Sequence, residues 1–587
     1  MKISLIFSMR DSGKIVKTSL LSLFLLCACN NGNKEQLVKV VLEDGDYSVA
    51  NQIKEQPKGS DFTFDITLDV NKAIASTTYE NYTISENIIE NKRYDKITFH
   101  QVNYSTFITL YIVDAVKIDY EIDGILFSEY AIKNHERLNT SNDYESFDKE
   151  GYCLTGWQKG DEIVSLGSRV DVNEAVRLKA RYLKESEKND FEYEIMDDTH
   201  VTIKKYVGEG KTIVLPSKID GRSTTAIAKD AFADLEIEEL VIPRSVGIIA
   251  NGSFVNCHIK QLVFFDNLSL VSNDSFLDCK IDKVRINAVK SPCYSRNYFG
   301  AYPEKFDRLL SLKDKRKIVL YGGSSVRFGF DSELIDQTFT DYEVVDMGVF
   351  AYTQGYPQLE VINAFMNEGD VIIATPEFDT LKNQIDLKPL FDESFFAMIE
   401  GNYDILSILD ISKYQNFFHA FNLYQRYREK LTGFSYSDTA YNYDEDGNYV
   451  ANHSYNRYGD YIVYRRNNEE RRVYGVVPAI FNKTHFSVEM IDNFNNAFSA
   501  LKNKGVKLIY DYSPRSDLSI SEDSSIQSAI ELDEYLKANI DMAFISNAEE
   551  SIIDAYYFYG TDNHLSTEGV GIRTKKVIRT LLDGHYI

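Results

Sequence analysis

A chain of 587 residues with a net charge of −25 is too long for one core, so about four domains are expected. That acidity argues against nucleic acid as a partner, because the phosphates would be repelled. It also argues against broad electrostatic docking to anionic lipid.

The N-terminus reads as a targeting segment. Lys2, Arg10, Lys14 and Lys17 precede the apolar run Leu20-Leu21-Ser22-Leu23-Phe24-Leu25-Leu26. The run is far short of the roughly 20 residues that span a bilayer, so residues 1–28 are expected to be a signal peptide. Leu26-Cys27-Ala28-Cys29 resembles a bacterial lipobox. The resemblance implies that Cys29 is lipidated and begins the mature chain, with residues 29–36 as a polar tether. A plain secretory signal or a buried cysteine is the alternative. The expected location is extracytoplasmic, on the bacterial cell membrane through the lipid anchor alone. Cys153, Cys257, Cys279 and Cys293 show no C-x-x-C spacing, so no metal or redox site is expected and no cofactor is implied.

Residues 37–115 contain period-two stretches, clearest in Phe62-Thr63-Phe64-Asp65-Ile66-Thr67-Leu68, and predict a small β domain. Within 116–184, Gly151-Tyr152 and Gly156-Trp157 precede Val176-Arg177-Leu178-Lys179-Ala180-Arg181-Tyr182. This resembles the Listeria–Bacteroides repeat, which implies a β-grasp-like surface module acting as a spacer or interaction element. Trp157 is expected to anchor its core.

Residues 185–290 repeat. Phe232, Phe254 and Phe276 stand 22 apart, as do Ile237, Ile259 and Ile281. A fixed period of this kind predicts a solenoid whose apolar positions stack from rung to rung. Ala231-Phe232, Val241-Ile242-Pro243 and Phe254-Val255-Asn256-Cys257 resemble the BspA-type leucine-rich repeat. Cys257 and Cys279 take the rung position of Leu235 and are expected to be small buried side chains, with a disulfide between neighbouring rungs as the alternative.

From 291 to 587 the pattern becomes α/β. Ile318–Tyr321, Val344–Met347, Val371–Ala374, Val506–Tyr510 and Met542–Ile545 are short apolar runs. Runs of this kind are buried on both faces in a parallel, doubly wound sheet. About 380–500 is read as an insertion far beyond an ordinary crossover. It carries His419, His453 and His485 with Tyr424, Tyr427 and Tyr441. Helical packing is expected there, with a lid or sugar-stacking wall as the alternative.

Gly322-Gly323-Ser324-Ser325 follows the first run, Gly348 the second and Thr375-Pro376-Glu377 the third, while Asp562-Asn563-His564-Leu565 lies near the end. Sites in such sheets sit at the carboxyl ends of strands. These residues resemble the nucleophile, glycine and Asp/His blocks of the SGNH/GDSL hydrolase superfamily, with Glu568-Gly569 like its envelope acyl-transfer members. The resemblance implies Ser324 as nucleophile, His564 as base, Asp562 as its orienting acid, and an oxyanion hole from the amides of Ser324 and Gly348. Arg327 and Glu377 are candidate substrate contacts. Two departures stand out: Thr561 holds the usual acid position three before the histidine, and Thr375-Pro376-Glu377-Phe378 lacks the third-block Asn. Loss of that donor predicts slow hydrolysis and favours acyl transfer. The expected function is a serine esterase or O-acyltransferase acting on envelope carbohydrate esters or another acylated polymer through an acyl-Ser324. The alternative is a non-catalytic adhesin or scaffold whose repeats bind a protein partner.

Overall fold

The computed structural model describes residues 36–587 apart from 80, 86, 90–91, 133–136, 142–146, 172–173, 291–298, 379–382, 431–441, 444–448, 451–454 and 475–477. Cys29, Cys293, Tyr441 and His453 lie outside the described residues. The chain divides into two compact units. One runs to Leu68 and takes in Thr77–Leu110; the other comprises Asp69–Ser76 and Tyr111–Ile587.

The first unit is built of strands. Ser60–Asp69 alternates as its sequence predicts, with Phe62, Phe64, Ile66 and Leu68 buried. Leu37–Leu42 pairs antiparallel with Ile53–Pro57 and parallel with Thr106–Ile108. The boundary expected after residue 115 falls inside one strand, Leu110–Ile122, whose partners belong to the second unit. Among the described residues no helix is long and apolar enough to cross a membrane.

In the second unit Leu110–Ile122 runs parallel to Val176–Lys184, which also pairs antiparallel with Tyr152–Lys159. Trp157 is fully buried there, its ring 4.7 Å from that of Tyr120 and 5.6 Å from that of Phe147. Its indole N–H donates to Ser141 O at 3.1 Å, so the one polar atom of the ring is satisfied inside the core.

The 22-residue period is a parallel solenoid. Glu236–Val241, His258–Phe265 and Lys280–Asn287 stack in register, pairing Ile237 with Ile259 and Ile259 with Ile281. The Phe232, Phe254 and Phe276 rings stack with centroids 4.6 and 4.7 Å apart and nearly parallel planes. Each rung turns at a left-handed residue, Asp234, Asn256 or Asp278, with φ of 57°, 52° and 53°. Asp and Asn tolerate that region better than other side-chain-bearing residues, so the corner was written at the same spacing. Cys257 is buried, Cys279 is half-buried and both are free thiols. Outward-facing Val241, Val263 and Phe265 pack with Trp157 in a second core, which joins the solenoid to the preceding module.

The solenoid does not end at solvent. Phe276 stacks on Phe418 with ring centroids 4.3 Å apart and an interplanar angle of 10°. Phe418 belongs to the α/β region, so one continuous apolar cluster runs from the rungs into one face of its sheet. That sheet has β1 (Lys317–Gly322), β2 (Glu343–Asp346), β3 (Val371–Thr375), β4 (Lys507–Tyr510) and β5 (Ala543–Phe544) in the order β2-β1-β3-β4-β5, all parallel. The five strands fall on the five apolar runs. β1 alternates between two cores. Val319 and Tyr321 face Phe306, Leu359 and Phe498, on helices α1 (Tyr302–Ser311), α4 (Gly355–Phe365) and α7 (Val488–Asn503). Ile318 and Leu320 face Ile335 and Val577, on α3 (Ser332–Thr338) and α9 (Thr567–Asp583). The short turn α2 (Ser324–Arg327) follows β1 directly.

Candidate serine site at the carboxyl edge of the sheet

Strand order places the ends of β1 and β3 side by side, and the loop before α9 closes over them. Ser324 is buried there at the first position of α2. Its Oγ donates to Glu377 Oε1 at 3.2 Å and accepts from Asn563 Nδ2 at 3.3 Å. Glu377 Oε1 also takes the Ser325 N–H at 2.7 Å, and Oε2 takes the Asn563 amide. One carboxylate therefore ties together a hydroxyl, one backbone amide of a helical turn and a side chain from the far end of the sequence. Gly323 makes this approach possible. A Cβ there would lie 2.5 Å from Glu377 Oε1, 2.8 Å from Gln384 Nε2 and 2.9 Å from Ala351 Cα.

The four blocks converge, but their side chains are not paired as the resemblance implied. The His564 ring makes no hydrogen bond to Ser324 or Asp562; it packs on Phe328 with centroids 4.1 Å apart. Loss of hydration, followed by the cations Arg465, Arg327 and Arg515, pushes the imidazole down to about 3, so it is neutral across the physiological range. Asp562 is buried, and its Oδ1 faces the Tyr474 N–H at 3.5 Å instead of the imidazole. The Gly348 amide, expected at an oxyanion, instead donates to Asp346 Oδ1 at 2.6 Å. The Asp346 carboxylate folds back two residues onto that N–H and is itself held by Lys305 Nζ at 2.9 Å. Glycine is still required at 348, because a Cβ would stand 2.4 Å from Arg327 N. The close approach it permits is that of α2. Arg327 is buried against Tyr455, its guanidinium carbon 4.4 Å from the ring. Glu377, named as a substrate contact, is in the first instance the group that caps α2.

A model of the BspA-type leucine-rich repeat region matches residues 225–300 in six copies. Residues 225–300 are BspA-type leucine-rich repeats. No curated protein matches the sequence. The chain is thus multidomain, with a strand-rich N-terminal part that includes these leucine-rich repeats and a C-terminal part that adds the helices. The leucine-rich repeats dock on the segment read as an insertion. Arg428, on α6 (Phe417–Lys430), donates to Asp266 Oδ2 at 2.8 Å and pairs with Glu400 at 3.0 Å. Tyr424 is buried and donates to Glu400 Oε1 at 3.0 Å, whereas Tyr427 is exposed. His419 and His485 lie at the surface. Around α6 the insertion packs as helix against the leucine-rich repeats, whereas residues 455–474 are mostly loop and pack against the serine region through Tyr455, Asp460 and Arg465.

Three positioning residues had no signal of their own in the sequence. Arg465 donates to Leu565 O at 2.7 Å and to Phe328 O at 3.3 Å, linking the loop of His564 to the end of the serine turn. Arg573, on α9, donates to Ser325 O and Gly329 O at 3.3 Å and is neutralised by Asp511 at 2.7 Å. Asp460 accepts the Ser332 N–H at 2.8 Å and is pushed above the usual carboxylate range by burial and by Asp346. Among the described residues no three His, Cys, Asp or Glu side chains are grouped to hold a metal ion.

Proposed function

We propose that the C-terminal region is an SGNH-like serine acyl-transfer domain. In this reading Ser324 takes an acyl group from an ester on an envelope carbohydrate and passes it to water or to a second hydroxyl. One observation carries the reading: Ser324, Glu377 and Asn563, from three distant segments, share hydrogen bonds at the carboxyl edge of a doubly wound sheet. The signal-like start and Cys29 belong to the same reading, which puts the protein outside the cytoplasm on a lipid anchor.

A serine hydroxyl needs a base before it attacks an ester. His564 follows Asn563 directly, and its neutral imidazole keeps an acceptor nitrogen, though a weakly basic one. To reach Ser324 Oγ it leaves the face of Phe328 while Asn563 releases the hydroxyl to the incoming substrate. The proton then passes from Oγ to the imidazole and on to the departing alkoxide, leaving an acyl-Ser324. Attack by the acceptor hydroxyl repeats the sequence in reverse. So weak a base favours slow turnover, which suits transfer better than rapid hydrolysis.

The test is labelling of the full chain with a serine-directed fluorophosphonate. Wild type is expected to label at one site, and Ser324→Ala to lose the label with hydrolysis of p-nitrophenyl acetate. Equal labelling of both would remove the nucleophile. The pH dependence carries a sign. With the imidazole held near 3 in the folded chain, against about 6.5 unfolded, its contribution to stability is complete above 6.5 and is lost as pH falls toward 3. The labelling rate is therefore expected to be flat from about pH 5 to 8. A rate that bends near 6.5 would mean that the imidazole is hydrated in the working state.

A second reading, a non-catalytic surface scaffold, is favoured by the stacking of His564 on Phe328 and its lack of any bond to Ser324. Wild type that takes up no label over hours would support it.

A further inference from the structure

Gln384 is 2% exposed, and neither Nε2 nor Oε1 has a hydrogen-bond partner among the described residues. A carboxamide carries two donor hydrogens and an acceptor with two lone pairs. Native proteins seldom bury one without satisfying any of them. Its position is as telling as its isolation. Nε2 lies 2.8 Å from the point where a Cβ on Gly323 would stand, and Glu377 Oε1 lies 2.5 Å from that same point. The amide therefore flanks the residue before Ser324, on the side of the carboxylate that holds the hydroxyl.

Its backbone is anchored. Asn383 O accepts the Gly355 N–H at 3.1 Å, and Asn383 Nδ2 donates to Tyr352 O at 2.5 Å. Gln384 thus lies on the chain that follows β3, next to the point where that chain is tied to the one that follows β2. Two fully buried hydroxyls on the same turn and strand end, Ser325 Oγ and Thr375 Oγ1, are likewise without partners. Of the two amides named for an oxyanion, Ser324 and Gly348, the second is taken by Asp346 Oδ1, and the neighbouring Ser325 N–H is taken by Glu377.

Resting on the acyl-transfer reading, we infer that the Gln384 carboxamide is the side-chain donor to the ester carbonyl oxygen, in place of the Asn missing from the third block. As Ser324 Oγ bonds to the carbonyl carbon, the π pair moves onto the carbonyl oxygen and Gln384 N–H donates to it. The hydroxyl proton goes to His564. When the pair returns and the alkoxide leaves with that proton, the amide keeps its hydrogen and is unchanged. The ligand class is an acyl ester, recognised at its carbonyl oxygen by a neutral donor.

Gln384→Met, which keeps length and removes both polar atoms, separates this role from a structural one. The inference expects about a 100-fold lower kcat for p-nitrophenyl acetate with KM little changed, and fluorophosphonate labelling slowed to match. It also expects a melting temperature equal to or above wild type, because an unsatisfied buried amide has been taken away. Gln384→Glu, which offers no donor when ionised, is expected to be equally slow. A Gln384→Met chain that labels at the wild-type rate overturns the inference. So does one whose lost rate comes with a lowered melting temperature, since the amide would then be holding the fold. Failure of the parent reading shows elsewhere, in wild type that does not label, and removes both.

Discussion

Arg428→Leu is expected to destabilise the second unit by about 3–5 kcal/mol, the usual cost of removing one partner from a buried ion pair. The guanidinium is 3% exposed and faces two carboxylates, Asp266 at the end of the solenoid and Glu400 below α6. Both are buried, so without the cation two negative charges remain in a region of low dielectric. Asp266 also accepts the Val289 and Lys290 amides at 2.7 and 3.1 Å, which fixes it where the rungs hand over to the next region. The triple variant Arg428→Leu, Asp266→Asn, Glu400→Gln is expected to regain most of the loss, because no charge is then stranded. The chain has one tryptophan, Trp157, and it lies in the core that shares the solenoid's outer face. Its fluorescence during guanidinium unfolding reads the effect directly. A single variant with the wild-type midpoint would show that the pair does not hold this junction.

Gly323→Ala is expected to slow labelling of Ser324 by about 100-fold or more, by analogy with the loss of one preorganised donor. The backbone there is extended, so conformation is not the obstacle. Space is. The added methyl meets Glu377 Oε1 at 2.5 Å and Gln384 Nε2 at 2.8 Å, whose side chains can swing aside, and Ala351 Cα at 2.9 Å, which cannot. Displacing Glu377 releases the Ser324 hydroxyl, the Ser325 amide and the Asn563 amide together. Overpacking of this kind costs about 1–3 kcal/mol of stability, small beside the expected loss of reactivity. Near-normal labelling would mean that the carboxylate has no part in presenting the hydroxyl.

The fold was legible where physics acts locally. Strands buried on both faces are mostly apolar, with buried polar residues such as Asp346 confined to their ends, so Ile318–Tyr321 and its four counterparts announced themselves. The rungs did so because stacking forces like onto like every 22 residues, down to the left-handed corners at Asp234, Asn256 and Asp278. Convergence of Ser324 with the Asp562–Leu565 block was legible from strand order alone. Side-chain pairing was not. Asn563 and His564 are neighbours, and which of them turns toward the serine depends on Phe328, Arg327 and Arg465, whose positions are set by distant segments. Glu377 was visible as a departure from pattern, but not as the cap of α2. Gln384, Asp460, Arg465 and Arg573 act across gaps of more than 60 residues, and nothing in their immediate surroundings sets them apart. The junction between Phe276 and Phe418 was hidden for the same reason, since an aromatic on an amphipathic helix says only that it will be covered.

That junction changes how the protein can be taken apart. The stack of rings leaves the rungs at Phe276 and continues onto Phe418 without a hinge, and the apolar cluster beneath it is continuous. A cut near residue 290 would leave two sticky fragments, one showing a bare ring and the stranded carboxylate of Asp266, the other a naked helix flank. Anything that grips the rungs from outside holds the serine region at a set orientation, like a tool gripped by its handle.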